Sequence, residues 1–117
     1  MEFVAQAKRL PFSVLKMRPI ADVVRGKSVD YALSWLKIHR VQRALPFTKV
    51  IESAAANAHN LKTIEKKDLR IKEIRVDEGR THRYYRPASR GRAATQRRRS
   101  CHISVILEQP KNVSQEV

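Results

Sequence analysis

A chain of 117 residues is the length of one domain. With 42% hydrophobic residues it can bury a modest core, which excludes a disordered protein, and no apolar run reaches the ~18 residues needed to cross a bilayer. The formal net charge of +14 and a pI near 10.8 point to a polyanionic partner, nucleic acid ahead of an anionic membrane surface.

The first residues, Met-Glu-Phe-Val-Ala-Gln-Ala-Lys-Arg, have the wrong polarity order for a signal peptide, and Glu2 argues against an organellar transit peptide. A cytoplasmic product is expected. Residues 2–9 alternate, with Phe3, Ala5 and Ala7 on one side, as in a short strand with one buried face. Pro11 ends it. Ser13 is the expected N-cap of a helix running to about Val24, whose apolar stripe is Val14, Met17, Ala21 and Val24 with Ile20 beside it. Pro19 falls past the first turn and removes one backbone hydrogen bond, and Gly26 stands where a helix ends in a left-handed residue.

Ser28 caps a second helix, roughly 29–38, with Val29, Ala32, Leu33 and Leu36 inward. Tyr31 and Trp35 are expected to pack at the core margin. The third and longest helix is expected over about 42–61. Phe47, Val50, Ile51, Ala54, Ala55, Ala58 and Leu61 recur along it at helical spacing, and its alanines allow another element to approach closely. Residues 62–68 are polar and connect. Leu69 and Ile71 then alternate with basic residues, and the phase slips by one at Glu73 before Ile74 and Val76, which predicts a β-bulge or a change of buried face. Cys101, Ile103, Val105 and Leu107 form the return strand. After Pro110 the tail, 111–117, is polar and expected to fray.

Between the two strands lies the strongest chemical signal. Residues 80–99 hold eight arginines (80, 83, 86, 90, 92, 97, 98 and 99), no lysine and no acidic residue. Eight guanidinium groups cannot be buried in their own domain without opposite charge, so the segment is either solvated or held against a polyanion. Guanidinium forks pair with phosphate and stack on bases, and Tyr84 and Tyr85 add stacking faces of the kind single-stranded or looped RNA uses. Flanking strand patterns make the segment the far part of a long antiparallel hairpin. If the strands extend into it, a strand of ~12 residues at ~3.3 Å per residue would project about 40 Å, beyond the radius of so small a core.

Catalytic and metal chemistry find no support. Cys101 and His102 are neighbours on one strand and face opposite ways, His39, His59 and His82 are scattered, and there is no P-loop or nucleophile turn. The rival readings are a free basic RNA- or DNA-binding regulator and an RNA-processing enzyme that would use His82 or His102 with Asp77.

Several stretches together resemble a known family. They are Ser13-Val14-Leu15-Lys16-Met17-Arg18, Asp22-Val23-Val24-Arg25-Gly26-Lys27, Ala32-Leu33 and the helix segment Lys49 to Ala58. Val76-Asp77-Glu78-Gly79, Pro87, Arg90-Gly91-Arg92-Ala93 and Ser100-Cys101-His102-Ile103 complete the set. In this order and spacing, from about residue 3 to residue 108, the chain resembles the bacterial form of the universal large-subunit ribosomal proteins of family twenty-two.

The resemblance implies an α+β fold: three helices packed on a small three-stranded antiparallel sheet with a long protruding β-hairpin. It implies one ribosomal-protein domain over 1–110, with the hairpin at about 72–107 and its tip at about 83–95. The implied role is structural and non-catalytic, without cofactor or metal. The partners would be large-subunit ribosomal RNA, neighbouring large-subunit proteins and, transiently, the nascent polypeptide, with no membrane. The implied place is the large subunit of a cytoplasmic or organellar ribosome, the hairpin reaching along the peptide exit tunnel.

Carried onto this chain, the expected RNA contacts of the hairpin are Arg83, Arg86, Arg90, Arg92, Arg97, Arg98 and Arg99. Those of the globular part are Lys8, Arg9, Lys16, Arg18, Arg25, Lys27, Asn57 and His102. Tyr84, Tyr85, Arg86, Pro87, Ala88, Ser89, Arg90, Gly91 and Arg92 would line the tunnel. The chain departs from the family pattern at Arg80, where many members have proline, at the bulky Tyr84-Tyr85 pair, and at Pro87-Ala88-Ser89, where Pro-Arg-Ala is usual.

Overall fold

The computed structural model describes residues 2–110, so the tail at 111–117 lies outside the described residues. The chain runs β1 (Glu2–Leu10), α1 (Val14–Val24), α2 (Val29–Ile38), α3 (Ala44–Lys62), β2 (Arg70–Glu78), β3 (His82–Pro87), β4 (Ala93–Arg98) and β5 (Cys101–Glu108). Three strands form an antiparallel sheet in the order β1-β5-β2, and β3 and β4 pair separately as a two-stranded ribbon.

Strand β5 is central because its inward residues, Cys101, Ile103, Val105 and Leu107, are all fully buried. Phe3 and Ala5 of β1 and Ile71, Ile74 and Val76 of β2 bury beside them. The slip at Glu73 is a register shift between Ile71 and Glu73 against β5. One extra residue there returns Ile74 and Val76 to the helix-covered face that simple alternation from Ile71 would have lost.

Helix α3 lies on this face, with Phe47, Val50, Ile51, Ala54, Ala55 and Ala58 buried. Its methyl-sized side chains let it approach β1 closely enough for Asn57 Nδ2 to donate a hydrogen bond to the Val4 carbonyl at 3.2 Å. Helix α1 covers β2 with Met17, Ile20, Ala21 and Val24, and α2 packs against α3. Ser28 caps α2 by accepting from the Tyr31 amide at 3.3 Å, whereas Ser13 forms no side-chain cap on α1. Gly26 takes the left-handed conformation (φ +77°) after α1.

Two residues depart from the expected core. Leu61 is 72% exposed, because α3 outruns the sheet after Ala58 and its apolar stripe continues into solvent. Tyr31 is 50% exposed and lies beneath the Lys27 ammonium, 5.6 Å from its ring centroid, instead of packing on the core margin. Trp35 is half-buried against the core and stacks on His39 at 4.7 Å.

The molecule measures 74 × 26 × 18 Å, with a radius of gyration of 18.1 Å. A compact domain of this length has about 13 Å. The excess comes from the β3–β4 ribbon.

Candidate nucleic-acid interface

The core sheet ends at the pair Glu78–Cys101, and the ribbon begins at His82–Arg98. The joint between them is tight. The Gly79 amide donates to the Ser100 carbonyl at 2.9 Å, and Ser100 Oγ donates to the Arg80 carbonyl at 2.6 Å. A Cβ on Gly79 would lie 2.5 Å from Ser100 Oγ and 3.1 Å from the His102 ring. The Ser100 hydroxyl, held by its bond to Arg80, and the His102 ring thus fill the space a side chain at position 79 would need.

Beyond the joint, paired residues share a face of the ribbon. His82, Tyr84 and Arg86 on β3 stand with Ala94, Gln96 and Arg98 on β4. Tyr84 organises this face. Arg98 and Arg86 lie over its ring, 5.4 and 5.8 Å from the centroid, and His82 stacks at 6.4 Å. The ring thus attracts two cations that would otherwise repel. On the opposite face, Arg83, Tyr85, Thr95 and Arg97 are all exposed.

At the tip, Ser89–Gly91 form a single 3-10 turn in which the Arg92 amide donates to the Ser89 carbonyl at 3.4 Å, and the Ala88 amide donating to the Arg92 carbonyl at 2.6 Å closes the loop around it. Arg90 (φ 59°) and Gly91 (φ +70°) are both left-handed, a reversal that glycine adopts freely and arginine only at some cost. Pro87, which lacks an amide proton, occupies the last rung of the ladder. Among the described residues, none of the eight arginines at 80–99 forms a salt bridge.

The basic residues expected in the globular part divide into two groups. Arg25 donates to the Ile74 carbonyl at 3.0 Å and to Asp22 Oδ1 at 2.6 Å, which ties α1 to β2. Asn57 ties α3 to β1. His102 accepts at Nδ1 from the Arg9 amide at 3.1 Å, holding a left-handed Arg9 (φ 62°) where β1 slips register. These three side chains have structural partners, whatever else they touch. Lys8, Arg9, Lys16, Arg18 and Lys27 are exposed, although Arg18 also reaches the Val76 carbonyl of β2 at 3.5 Å.

Lys16 faces the root of the ribbon across a cleft of 570 Å³ that also takes in Arg97, Arg98 and Arg99. Arg43 and Phe12 line the same cleft, and the sequence had drawn attention to neither. Arg43 could have been found only as an isolated arginine just ahead of the longest helix. A larger concavity between α2 and α3 is mostly apolar and lies apart from the arginines of residues 80–99.

No three His, Cys, Asp or Glu side chains among the described residues cluster as metal ligands. Asp77 and His102 are paired across β2 and β5, but His102 Nδ1 is occupied by the Arg9 amide. No helix among the described residues is long and apolar enough to cross a membrane.

Two relatives match nearly end to end. The large ribosomal subunit protein uL22 of Pelotomaculum thermopropionicum is 37% identical over 111 residues, 95% of this chain and 98% of the relative. That of Dehalococcoides mccartyi is 41% identical over 107 residues, 92% of this chain and 98% of the relative. Residues 5–108 match the family described as ribosomal protein L22p/L17e, spanning both the helix-covered sheet and the arginine ribbon. The chain belongs to the ribosomal protein L22p/L17e family.

Proposed function

We propose that the chain is a structural constituent of the large ribosomal subunit that binds its RNA through the arginine ribbon and one side of the globular domain. The observation that carries this reading is the ribbon with its joint, eight guanidinium groups held clear of the core with no salt bridge among the described residues. Only an external polyanion neutralises them. Residues 1–110 act as one domain, with the hairpin set out from its sheet.

In the same reading Arg83, Arg86, Arg90, Arg92, Arg97, Arg98 and Arg99 meet phosphates along the hairpin. Residues 84–92 form part of the wall of the peptide exit tunnel, where they meet the nascent chain. Lys8, Arg9, Lys16, Arg18 and Lys27 extend the RNA contact over the globular part, beside neighbouring subunit proteins and in the cytoplasm. Arg25, Asn57 and His102 add to it from side chains already used inside the fold. Membership of a family of ribosomal structural proteins sets the enzymatic reading aside.

Sedimentation tests the assignment. The protein is expected to stay with large subunits through a high-salt wash that strips peripheral binders. Release into the supernatant with those binders would favour a free basic regulator instead.

A further inference from the structure

The cleft at the root of the ribbon has a construction of its own. Five cationic side chains surround it: Lys16 from the first turn of α1, Arg43 from the α2–α3 connection, and Arg97, Arg98 and Arg99 from the end of β4 and the joint. No acidic residue lines it. The starts of two helices, α1 and α3, border it, and both present the positive end of the helix dipole. Ser13, at the head of α1, spends no side-chain hydrogen bond on capping.

Arg43 supplies an independent indication. The residue is half-buried, and its Nε is shielded with no hydrogen-bond partner among the described residues. A shielded guanidinium nitrogen of this kind gains when an acceptor reaches it. Phe12, half-buried, provides an apolar wall.

We infer that this cleft is a phosphate clamp for a sharply turned RNA strand, with Arg43 as its central donor and Phe12 against a base or sugar. The inference rests on the RNA-binding reading above and adds a specific site to it. The cleft, about 570 Å³ and open to solvent, has room for a turn of backbone. Its walls come from the globular body and from the ribbon. An RNA strand seated there neutralises charges that otherwise push the two apart, and so fixes the direction in which the hairpin points.

The test uses the full chain and large-subunit ribosomal RNA as probe, with affinity followed against salt. Replacing Arg43→Gln and Lys16→Gln together is expected to weaken binding at least tenfold. It is also expected to make the log–log salt slope shallower by roughly 0.7–0.9 per lost phosphate contact. Lys62→Gln, at the far end of α3, is the charge control and keeps the wild-type slope.

A second readout separates binding from folding. Arg43→Met removes an unsatisfied shielded donor, so the free protein is expected to melt a few degrees higher while RNA binding weakens. A purely structural arginine would give a lower melting temperature. If wild type binds with a steep slope and the Arg43 and Lys16 variants match it, the clamp is wrong and the RNA-binding reading stands. If wild type itself shows no salt-dependent binding, that reading falls first. A photoreactive side chain at position 12 is expected to crosslink to RNA in assembled subunits. Crosslinks to protein alone would assign the cleft to a protein partner and overturn the clamp.

Discussion

Single residues in this protein do two kinds of work, and sequence type alone does not separate them. Arg25, Asn57 and His102 all have the chemistry of RNA ligands, yet each holds two elements of the fold together. Arg43 lay unmarked in a connection and became notable only when folding placed it opposite Lys16 and Arg97–Arg99. Gly79 is the clearest residue-level constraint. Gly79→Ala forces a Cβ against Ser100 Oγ and the His102 ring and is expected to cost about 1–3 kcal/mol of stability in urea denaturation. Adding Ser100→Gly should recover part of that loss, and an unchanged midpoint for Gly79→Ala would show that the joint is loose. Cys101 gives a pH signature. Burial pushes its thiol above the ordinary value, so the unfolded chain loses that proton first as pH rises. Its contribution is fully present below the unfolded thiol value, about 8.5, and is lost as pH climbs through the higher folded value. Cys101→Val is expected to show a smaller loss of stability over that alkaline range than the wild type, and identical curves would contradict the buried, protonated thiol.

At the scale of elements, hydrophobic periodicity made most of the fold legible. The three helices, the three core strands and the slip at Glu73 follow from spacings that bury one face, and burial is what the periodicity encodes. The misreadings have the same root. The stripe of α3 runs on to Leu61 because the pattern carries no information about where the sheet beneath it stops. Pattern alone left open whether the strands run on into the arginine segment, and the joint at 79–81 and 99–100 could not be read from it, since the packing at Gly79 and the Ser100–Arg80 bond are tertiary facts. The ribbon itself was legible from charge, but its two faces were not: Tyr84 gathers Arg86, Arg98 and His82, while Tyr85 stands in solvent at 70% exposure. No residue of 80–99 belongs to the buried core. Deleting residues 84–95 is therefore expected to leave the circular-dichroism signal of the helices intact and to shift stability by no more than about 0.5 kcal/mol. Loss of the helical signal would mean that the ribbon supports the core.

For the whole molecule, shape and charge make one design. The helix-covered sheet is the compact body, and with the ribbon the molecule is 74 Å long but only 26 Å in its next dimension. A charge of +14 on such an extended body repels itself when free and is relieved when phosphates surround it. The joint at Gly79 and the basic cleft beneath the ribbon set where the hairpin points. In the function proposed above, this direction leads into the wall of the exit tunnel. That placement is tested most directly by a density map of the intact large subunit at a resolution that traces side chains. Density for β3 and β4 is expected against ribosomal RNA, with residues 84–92 at the tunnel wall. A ribbon lying on the solvent face of the subunit, or a subunit lacking this chain, would contradict it.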